Sequence, residues 1–453
     1  MNIVDLIFSK ADRGAVALIA DGIELTYGEL ITRTDAASVS IAAAQAARIG
    51  LDCPNGIAHV VLALAIVRAG KCLVPIASEL ARPERARLIK ETGIGAIVDA
   101  AGQVREIPLN GELGFDEKTL EALNPAFIRF SSGTTGRSKG IVLSHESLLA
   151  RVTAANRGLG ITQADRIVWI LPMAHHFAVS IMLYLLHGAT TIIVGSHLAE
   201  DVLGAGRIHG GTILYGAPFH HALLAGDASG LPWPSLRLAV STAAALPLAT
   251  AKAFESRFGL SLSQGLGVIE AGLPMLNLDA QKEKPASVGR PLPDFSVDIR
   301  DGEIFVRGPG MLDAYLTPWR TRDEILEKGW FRTGDLGRID LDGHVFLEGR
   351  SHSVINVAGL KCFPEEIEAV LCAMPEVRLA RVVGKTHSRV GAVPVAEIVP
   401  RDFTHPPKLS ALVAHCRAAL ARYKVPVEFK IVESVPLTPS GKIRREETAP
   451  DLA

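Results

Sequence analysis

Short aliphatic runs alternate with longer helical patterns through the first two thirds of the chain, and this alternation constrains the fold more than any other feature. Each pair joins a segment of helical length to a brief run of strand length. The pairs are GIAHVVLALAIVRAG with CLVPI, RPERARLIKETG with AIVDA, and DVLGAGRIHGG with TILYG. Parallel sheets covered by helices bury the apolar faces of such units. The sequence therefore predicts an α/β fold for this part of the chain.

The pattern changes after Pro291, where SVDIRDGEIFVRG and GRIDLDGHVFLEG are typical of β-hairpins. From Ser351 onward, shorter helical and strand patterns alternate again. A chain of 453 residues exceeds one ordinary hydrophobic core. We expect a large N-terminal domain over residues 1–350, with a β-rich subdomain at about 291–350, followed by a small mobile α+β domain over residues 351–453.

The composition favours small molecules or another protein as partners. Lysine and arginine number 47 against 48 aspartate and glutamate, and a net charge of −1 gives no electrostatic reason to expect nucleic acid or an anionic membrane as a partner. The five cysteines form no CxxC pair and no Cys/His ligand spacing, and each lies among apolar neighbours or on a predicted helix. We interpret them as reduced core thiols of a cytoplasmic protein. The first residues do not resemble a signal peptide, because they lack a basic region and a small-residue cleavage site.

The segment from Ile167 to His197 contains no aspartate, glutamate, lysine or arginine, which raises the alternative of a membrane span. Pro172, three histidines and Gly188 interrupt it, and the piece after Gly188 is short and β-branched. A buried helix followed by a buried parallel strand explains this pattern better than a bilayer-spanning helix.

The loop SSGTTGRSKG, from Ser131 to Gly140, lies between the apolar runs FIRF and IVLSH. Its glycines let a ligand approach the backbone, its hydroxyls and backbone N–H groups can donate hydrogen bonds, and Lys139 supplies positive charge. These are the properties of a phosphate-binding loop. It is not a Walker A loop, because that motif places its lysine directly after a glycine and before Ser or Thr. A flexible surface loop is the alternative, and the strand-like runs on both sides argue against it.

Taken with three other stretches, this loop resembles the signatures of the adenylate-forming superfamily, which includes acyl-CoA and aryl-CoA ligases, peptide-synthetase adenylation domains and luciferases. The stretches occur in the family's order and are GWFRTGDLGRID, GRSHSVINVAGLKCFPEEIEAVL and PLTPSGKIRRE. The resemblance implies ATP-dependent activation of a carboxylic acid to an acyl-adenylate, release of pyrophosphate and transfer to a thiol. It implies ATP and Mg²⁺ as cofactors, with coenzyme A or the phosphopantetheine of a carrier protein as acceptor.

The resemblance also assigns roles to individual residues. Lys442 is expected to bridge the substrate carboxylate and the α-phosphate, and Glu270 to hold Mg²⁺. His176 or Phe177 is expected to meet the substrate carboxylate and gate the pocket, with a core histidine as the alternative role of His176. Asp335 is expected to accept from the ribose hydroxyls, and Arg350 to lie near the ribose or to form a structural salt bridge. The implied ATP-binding residues are Ser131, Ser132, Gly133, Thr134, Thr135, Gly136, Lys139, Ala243, Ala244, Leu266, Gly267, Asp335 and Arg350.

The chain departs from the family pattern at several of these positions. Ile269 replaces a threonine expected to face the α-phosphate, and Leu266 replaces an aromatic residue beside the adenine. Each change removes an interaction worth about 1 kcal/mol. Thr242 and Ala243 stand where glycines are usual. Their side chains are expected to reduce the space along the wall that the adenine and the acyl group share.

The residues expected to line the acid pocket are mostly small or aliphatic, which favours an apolar acyl or aryl acid over a charged one. LPMAHHFAVS lacks the aspartate with which amino-acid activators pair an α-ammonium, which disfavours an amino acid. We predict an acyl-CoA synthetase, with an acid ligase that loads a carrier protein as the first alternative and an acyl-nucleotide binding protein without ligase activity as a lesser one. The implied substrate-binding residues are His176, Phe177, Tyr215, Gly216, Ser241, Val268 and Ile269.

Overall fold

The computed structural model describes residues 1–108, 113–131, 139–350, 353–357, 360–387, 391–437 and 443. The chain forms two compact units. The first holds most of the chain up to Val297 together with Val306–Phe331, and the second holds Asp298–Phe305 and the chain from Arg332 onward. The domain boundaries expected from the sequence stay a prediction.

Strands and helices are numbered along the chain. The strands are β1 (Val16–Ala20), β2 (Ile23–Thr26), β3 (Arg48–Asp52), β4 (Cys72–Pro75), β5 (Ala96–Asp99), β6 (Val104–Glu106), β7 (Pro125–Ser131), β8 (Lys139–Ser144), β9 (Arg166–Trp169), β10 (Thr190–Ile193), β11 (Ile213–Gly216), β12 (Leu238–Ser241), β13 (Ser263–Val268), β14 (Gly272–Leu276), β15 (Ser287–Pro291), β16 (Ser296–Arg300), β17 (Glu303–Arg307), β18 (Ala314–Leu316), β19 (Trp319–Thr321), β20 (Phe331–Ile339), β21 (Val345–Arg350), β22 (Ile355–Val357), β23 (Leu360–Cys362), β24 (Val377–His387), β25 (Gly391–Pro400) and β26 (Glu428–Ile431). The helices are α1 (Ile3–Lys10), α2 (Tyr27–Ala42), α3 (Ile57–Arg68), α4 (Arg82–Thr92), α5 (Glu117–Ala122), α6 (His145–Leu159), α7 (Met173–His176), α8 (Ile181–Leu186), α9 (Ala199–Ile208), α10 (Pro218–Ala225), α11 (Leu248–Phe258), α12 (Arg322–Ile325), α13 (Pro364–Cys372) and α14 (Leu409–Ala419), with a 3-10 helix at Arg422–Lys424.

Two sheets form the framework of the first unit. One has the strand order β15-β14-β13-β12-β11-β9-β10-β1-β2, and its stretch from β13 to β1 is parallel. The other has the order β19-β18-β8-β7-β4-β3-β5-β6, with parallel pairing among β7, β4, β3 and β5. Both carry helices between their parallel strands, as such connections require. The predicted fold class, mixed α/β with a large sheet-containing part and a small C-terminal part, is confirmed.

The uncharged segment from Ile167 to His197 runs through β9, α7, α8 and β10. Each residue of α8 is buried, and β10 pairs in parallel with both β9 and β1. The prediction of a buried helix followed by a buried parallel strand is therefore confirmed. Within the residues that the structure describes, no helix combines the length and the apolar composition that crossing a bilayer requires.

Helix α6 illustrates how local sequence places a functional element. Ser144 caps its start, where the hydroxyl accepts from the Ser147 backbone N–H at 3.0 Å. Gly160 ends it with a left-handed φ of 60°, a conformation that glycine adopts without steric cost. The fixed length and phase of the helix bring Arg151 to its buried face, at 2% exposure.

The second unit contains β16, β17, β20 and β21 in that order, and β20 and β21 form the antiparallel hairpin predicted from GRIDLDGHVFLEG. A further sheet has the order β23-β22-β25-β24, with β26 parallel to β25. Its core includes Ile367 of α13 and Leu412 of α14. The cysteines of both units are free thiols, and burial raises the pKa of Cys72 to about 12, which agrees with the prediction of core thiols.

Candidate active site

The carboxyl ends of β11, β12 and β13 meet at one edge of the first sheet, the edge where open α/β sheets bind ligands. Gly216 at the end of β11 lies opposite Ser241 at the end of β12, and Ser241 lies opposite Gln264 of β13. The site residues predicted on these three segments are thus neighbours. Gly267, exposed near the end of β13, approaches the next segment closely, since a Cβ atom placed there would lie 3.7 Å from the Thr242 hydroxyl.

The turn after β12 is built on an unusual backbone conformation. Ala243, predicted to border the adenine, has a φ of 75°, in the left-handed region that favours glycine. Ala244 follows it and is exposed. The departure from glycine noted in the sequence therefore falls at a position where a side chain strains the backbone.

An aromatic wall extends along β9 and β11. The Tyr215 ring stacks on Trp169 with centroids 5.9 Å apart, and His176 meets Trp169 edge-on at 5.7 Å. Burial raises the pKa of Tyr215 to about 12, against the opposing effect of a hydrogen bond with Thr242. Trp169 was missed by sequence reasoning, although its place near the end of a predicted strand was a usable signal.

Two other predicted wall residues are completely buried. Phe177 lies just beyond α7 and packs against His59 with ring centroids 5.9 Å apart. The Ser241 hydroxyl is buried and has no hydrogen-bond partner among the described residues. A buried hydroxyl of this kind is a group that a ligand can satisfy.

Glu270 lies in the turn between β13 and β14, and Arg151 of α6 holds this turn in place. Its guanidinium donates to the Ile269 carbonyl at 2.8 Å and to the Gly310 carbonyl at 2.6 and 2.9 Å. The Leu312 N–H donates to the Glu270 carbonyl at 2.7 Å. Burial lowers the pKa of Arg151 to about 10, which still leaves a cation at neutral pH.

A row of residues on the second sheet faces this turn. Arg129 of β7 and Tyr315 of β18 each lie opposite Ile141 of β8, so the three side chains share one face. Lys139 precedes Ile141 by two residues and therefore points to the same face. Its Nζ lies 4.6 Å from the centre of the Tyr315 ring, and the Tyr315 hydroxyl donates to Glu270 Oε1 at 3.1 Å.

Arg129 adds a second cation to this face. Burial lowers its pKa to about 10, while the charge of Glu270 acts in the opposite direction. Its Nε has no hydrogen-bond partner among the described residues. Sequence reasoning missed both Arg129 and Tyr315. A charged residue inside the apolar run FIRF was the available signal for Arg129.

In the second unit, Asp335 and Arg350 lie opposite each other on β20 and β21. Arg350 Nε donates to Asp335 Oδ1 at 2.6 Å, and the Asp335 N–H donates to the Thr333 hydroxyl at 3.0 Å. Asp335 is 5% exposed. Of the two roles expected for Arg350, the structure therefore shows the salt bridge. Its partner is Asp335, the carboxylate expected to accept from the ribose hydroxyls.

For the remaining predicted site residues, the structure gives a position and a degree of burial but no contact that bears on their roles. Ser131 ends β7, where its backbone pairs with Lys139. Leu266 is buried within β13, and Val268 and Ile269 are half-buried. The predicted site residues that lie outside the described part of the chain are Ser132, Gly133, Thr134, Thr135, Gly136 and Lys442.

These features define an enzyme of the adenylate-forming superfamily, and comparison with known proteins agrees. The family model described as AMP-binding enzyme matches residues 8–316, and the model of the AMP-binding enzyme C-terminal domain matches residues 366–442. The chain belongs to this family, so the resemblance recognised in the sequence is confirmed.

Two of the relatives illustrate the likeness, and both are named for a coenzyme A thioester. A sulfoacetate–CoA ligase of Cupriavidus necator is 33% identical over 340 residues, covering 71% of this chain and 66% of the relative. A feruloyl-CoA synthase of Amycolatopsis is 28% identical over 96% of this chain and 95% of the relative. The expectation of an AMP-forming acid–thiol ligase is confirmed.

The fold comparison is equally extensive. The crystal structure of ATP-bound MatB from Rhodopseudomonas palustris superposes with a TM-score of 0.86, covering 98% of this chain and 97% of MatB, at 23% identity. At that identity the likeness supports the fold and not a substrate.

Proposed function

We propose that the protein activates an apolar acyl or aryl acid with ATP, releases pyrophosphate, and transfers the acyl group from the adenylate to the thiol of coenzyme A. The observation that carries this proposal is the contact series Lys139–Tyr315–Glu270. In this series, a cation suited to phosphates and a carboxylate suited to a metal ion both contact the side chain of Tyr315. Both groups belong to segments that resemble family signatures.

The reaction brings a carboxylate oxygen onto the α-phosphorus, and both partners are anionic. Catalysis therefore requires positive charge around the reacting centre more than covalent participation of the protein. Lys139 and Arg129 supply cations at the sheet face, and Lys442 is the residue we expect to meet the α-phosphate. Lysine suits that bridging role because its ammonium is compact and its stem is long.

Glu270 fits a role in holding Mg²⁺. The ion prefers hard oxygen ligands and is commonly bound by one or two carboxylates together with substrate phosphates. A half-buried carboxylate, oriented by a hydrogen bond and by the Arg151 clamp on its turn, meets that requirement. When bound, Mg²⁺ would neutralise phosphate charge.

We assign the ribose hydroxyls to Asp335. A carboxylate is an acceptor-only group whose two oxygens can accept from several donors, and Arg350 fixes its orientation through Oδ1. Arg350 would then act by holding the carboxylate in place rather than by contacting the nucleotide.

The acid pocket supports an apolar substrate. Tyr215 and Leu266 are aromatic and aliphatic residues of the predicted pocket, and the fully buried Trp169 ring supports Tyr215 from behind. Such a lining suits an apolar body with few polar groups. The feruloyl-CoA synthase relative acts, by its name, on an aryl acid. The sulfoacetate–CoA ligase relative acts, by its name, on a small acid with a second anionic group, and it is the case against which the proposal must be tested.

The test is pyrophosphate exchange with a panel containing aliphatic acids, benzoic and cinnamic acids, sulfoacetate and amino acids. We expect exchange to be fastest with an apolar acid and slowest with the amino acids. Lys442→Ala should abolish exchange while keeping most of the thiol transfer from a supplied acyl-adenylate.

A second incubation of the preferred acid with coenzyme A or with a phosphopantetheinylated carrier protein decides the acceptor. Thioester formation with coenzyme A supports the proposal. Thioester formation with the carrier protein alone would show that the carrier protein, and not coenzyme A, is the acceptor. If the protein binds nucleotide but catalyses pyrophosphate exchange with none of the acids, the result favours the alternative of an acyl-nucleotide binding protein without ligase activity.

A further inference from the structure

We propose that Tyr315 is a positioning residue that holds Glu270 for the metal ion through its hydroxyl and Lys139 for the phosphates through its ring. This inference rests on the proposed function. Neither group reaches Tyr315 from a neighbouring position in the sequence, since Glu270 is 45 residues and Lys139 is 176 residues away. One side chain therefore couples two charged groups that come from different parts of the fold.

The hydroxyl contact restricts the carboxylate. The bond joins Tyr315 Oη to Glu270 Oε1 at 3.1 Å, and it favours one orientation of the carboxylate over the others. The phenolic hydroxyl of a tyrosine can donate, and an ionised carboxylate can only accept, so the direction of this bond is fixed. A fixed carboxylate needs no reorientation when the metal ion arrives with ATP.

The ring contact restricts the lysine. Lys139 Nζ lies 4.6 Å from the ring centre, within the range of a cation–π interaction. A free lysine loses rotamer freedom when it binds a phosphate, and prior contact with the ring reduces that loss. The ring itself is held by strand register, because Tyr315 lies opposite Ile141 and is 5% exposed.

Two substitutions separate the two contacts. Tyr315→Phe removes the hydroxyl and keeps the ring, so it should weaken metal binding by about tenfold and leave metal-free ATP binding unchanged. Tyr315→Leu removes both contacts, so it should weaken both, with metal-free ATP binding reduced by about threefold. Tyr27→Phe is the matched control, because the Tyr27 hydroxyl is also buried and bonded, to the Ala189 carbonyl at 2.9 Å.

The experiment measures Mn²⁺ binding by electron paramagnetic resonance, with full-length protein and the α,β-methylene analogue of ATP. Calorimetric titration with ATP in EDTA gives the metal-free affinity. Thermal melts followed by circular dichroism establish that each variant is folded. Tyr315→Phe preserves the packing of the ring, so it still tests the inference if Tyr315→Leu does not fold.

Weaker Mn²⁺ binding in Tyr315→Phe, with Tyr27→Phe matching the wild type, supports the inference. Mn²⁺ binding in Tyr315→Phe within twofold of the wild type overturns it, whatever the leucine variant does. Wild-type protein that binds no Mn²⁺ with the analogue overturns both proposals. Wild-type protein that binds it but supports no pyrophosphate exchange overturns the proposed function alone.

Discussion

The ion pair between Asp335 and Arg350 gives a prediction whose size follows from the structure. The change is Arg350→Met, which keeps most of the side-chain length and removes the guanidinium. Removing one partner from a fully buried pair costs about 3–5 kcal/mol, because the remaining charge is left without compensation. Asp335 is nearly buried, but the Arg350 side chain is 32% exposed, so water can reach the gap. We expect a cost of about 2 kcal/mol after this discount.

Hydrogen exchange measured by mass spectrometry can locate this loss. A cost of about 2 kcal/mol should speed exchange of β20 and β21 amides by about thirtyfold, since opening of this hairpin limits their exchange. The four tryptophans lie at positions 169, 233, 319 and 330, all in the first unit, so their fluorescence during urea unfolding follows that unit separately from the exchange of the hairpin amides.

The hairpin also provides the control. Arg338 lies on β20 and faces Glu348 at 3.7 Å, but both side chains are well exposed. Arg338→Met should therefore cost less than 1 kcal/mol. The reasoning is refuted if Arg350→Met changes exchange no more than Arg338→Met does. It is also refuted if Arg350→Met costs the same in an Asp335→Asn background, because the two residues would then be uncoupled.

Two further predictions concern stability in the first unit. Ala243→Gly should raise the free energy of unfolding in urea by about 0.5–1 kcal/mol by relieving the φ of 75°, whereas Ala244→Gly, with no positive φ to relieve, should lower it. Burial alone would raise the pKa of Asp165, but the stronger combined effect of Arg237, Thr162 and Thr212 lowers it. Its stabilising contribution is therefore complete above the unfolded pKa of about 3.9 and is lost as the pH falls through the lower folded value. The difference in unfolding free energy between wild type and Asp165→Asn should shrink below about pH 4, and a constant difference would contradict the assignment.

The fold was largely predictable because its signal is local. Helix and strand patterns repeat within each βα unit, so GIAHVVLALAIVRAG and CLVPI could be recognised without knowing what they pack against, and they became α3 and β4. The hairpin of β20 and β21 was predictable for the same reason. Its tight turn fixes the register, and that register places Asp335 opposite Arg350.

The contacts of the site were harder to predict because they depend on pairing between distant strands. β18 spans three residues, Ala314–Leu316, and is too short to show periodicity. Its pairing with β8 aligns Tyr315 with Ile141 and brings its hydroxyl to Glu270. Sequence reasoning identified Glu270 and Lys139 separately, by resemblance to family signatures, but nothing local indicated the residue that joins them.

The charges around Glu270 explain why an anion should stabilise this region. The side chains of Arg129, Arg151 and Lys139 bring three positive charges to the neighbourhood of Glu270. Asp313, the other carboxylate that acts on Arg151, is itself paired with Arg322 at 2.6 Å. Burial lowers the pKa of Arg129 and Arg151, which means that desolvation of their charges opposes folding. A polyphosphate bound at this face would offset that cost, because it adds negative charge where the protein has an excess of cations. The excess of positive charge that opposes folding without a ligand thus favours a polyphosphate such as ATP over a neutral ligand. The three cations lie on β7, β8 and α6 rather than on a loop.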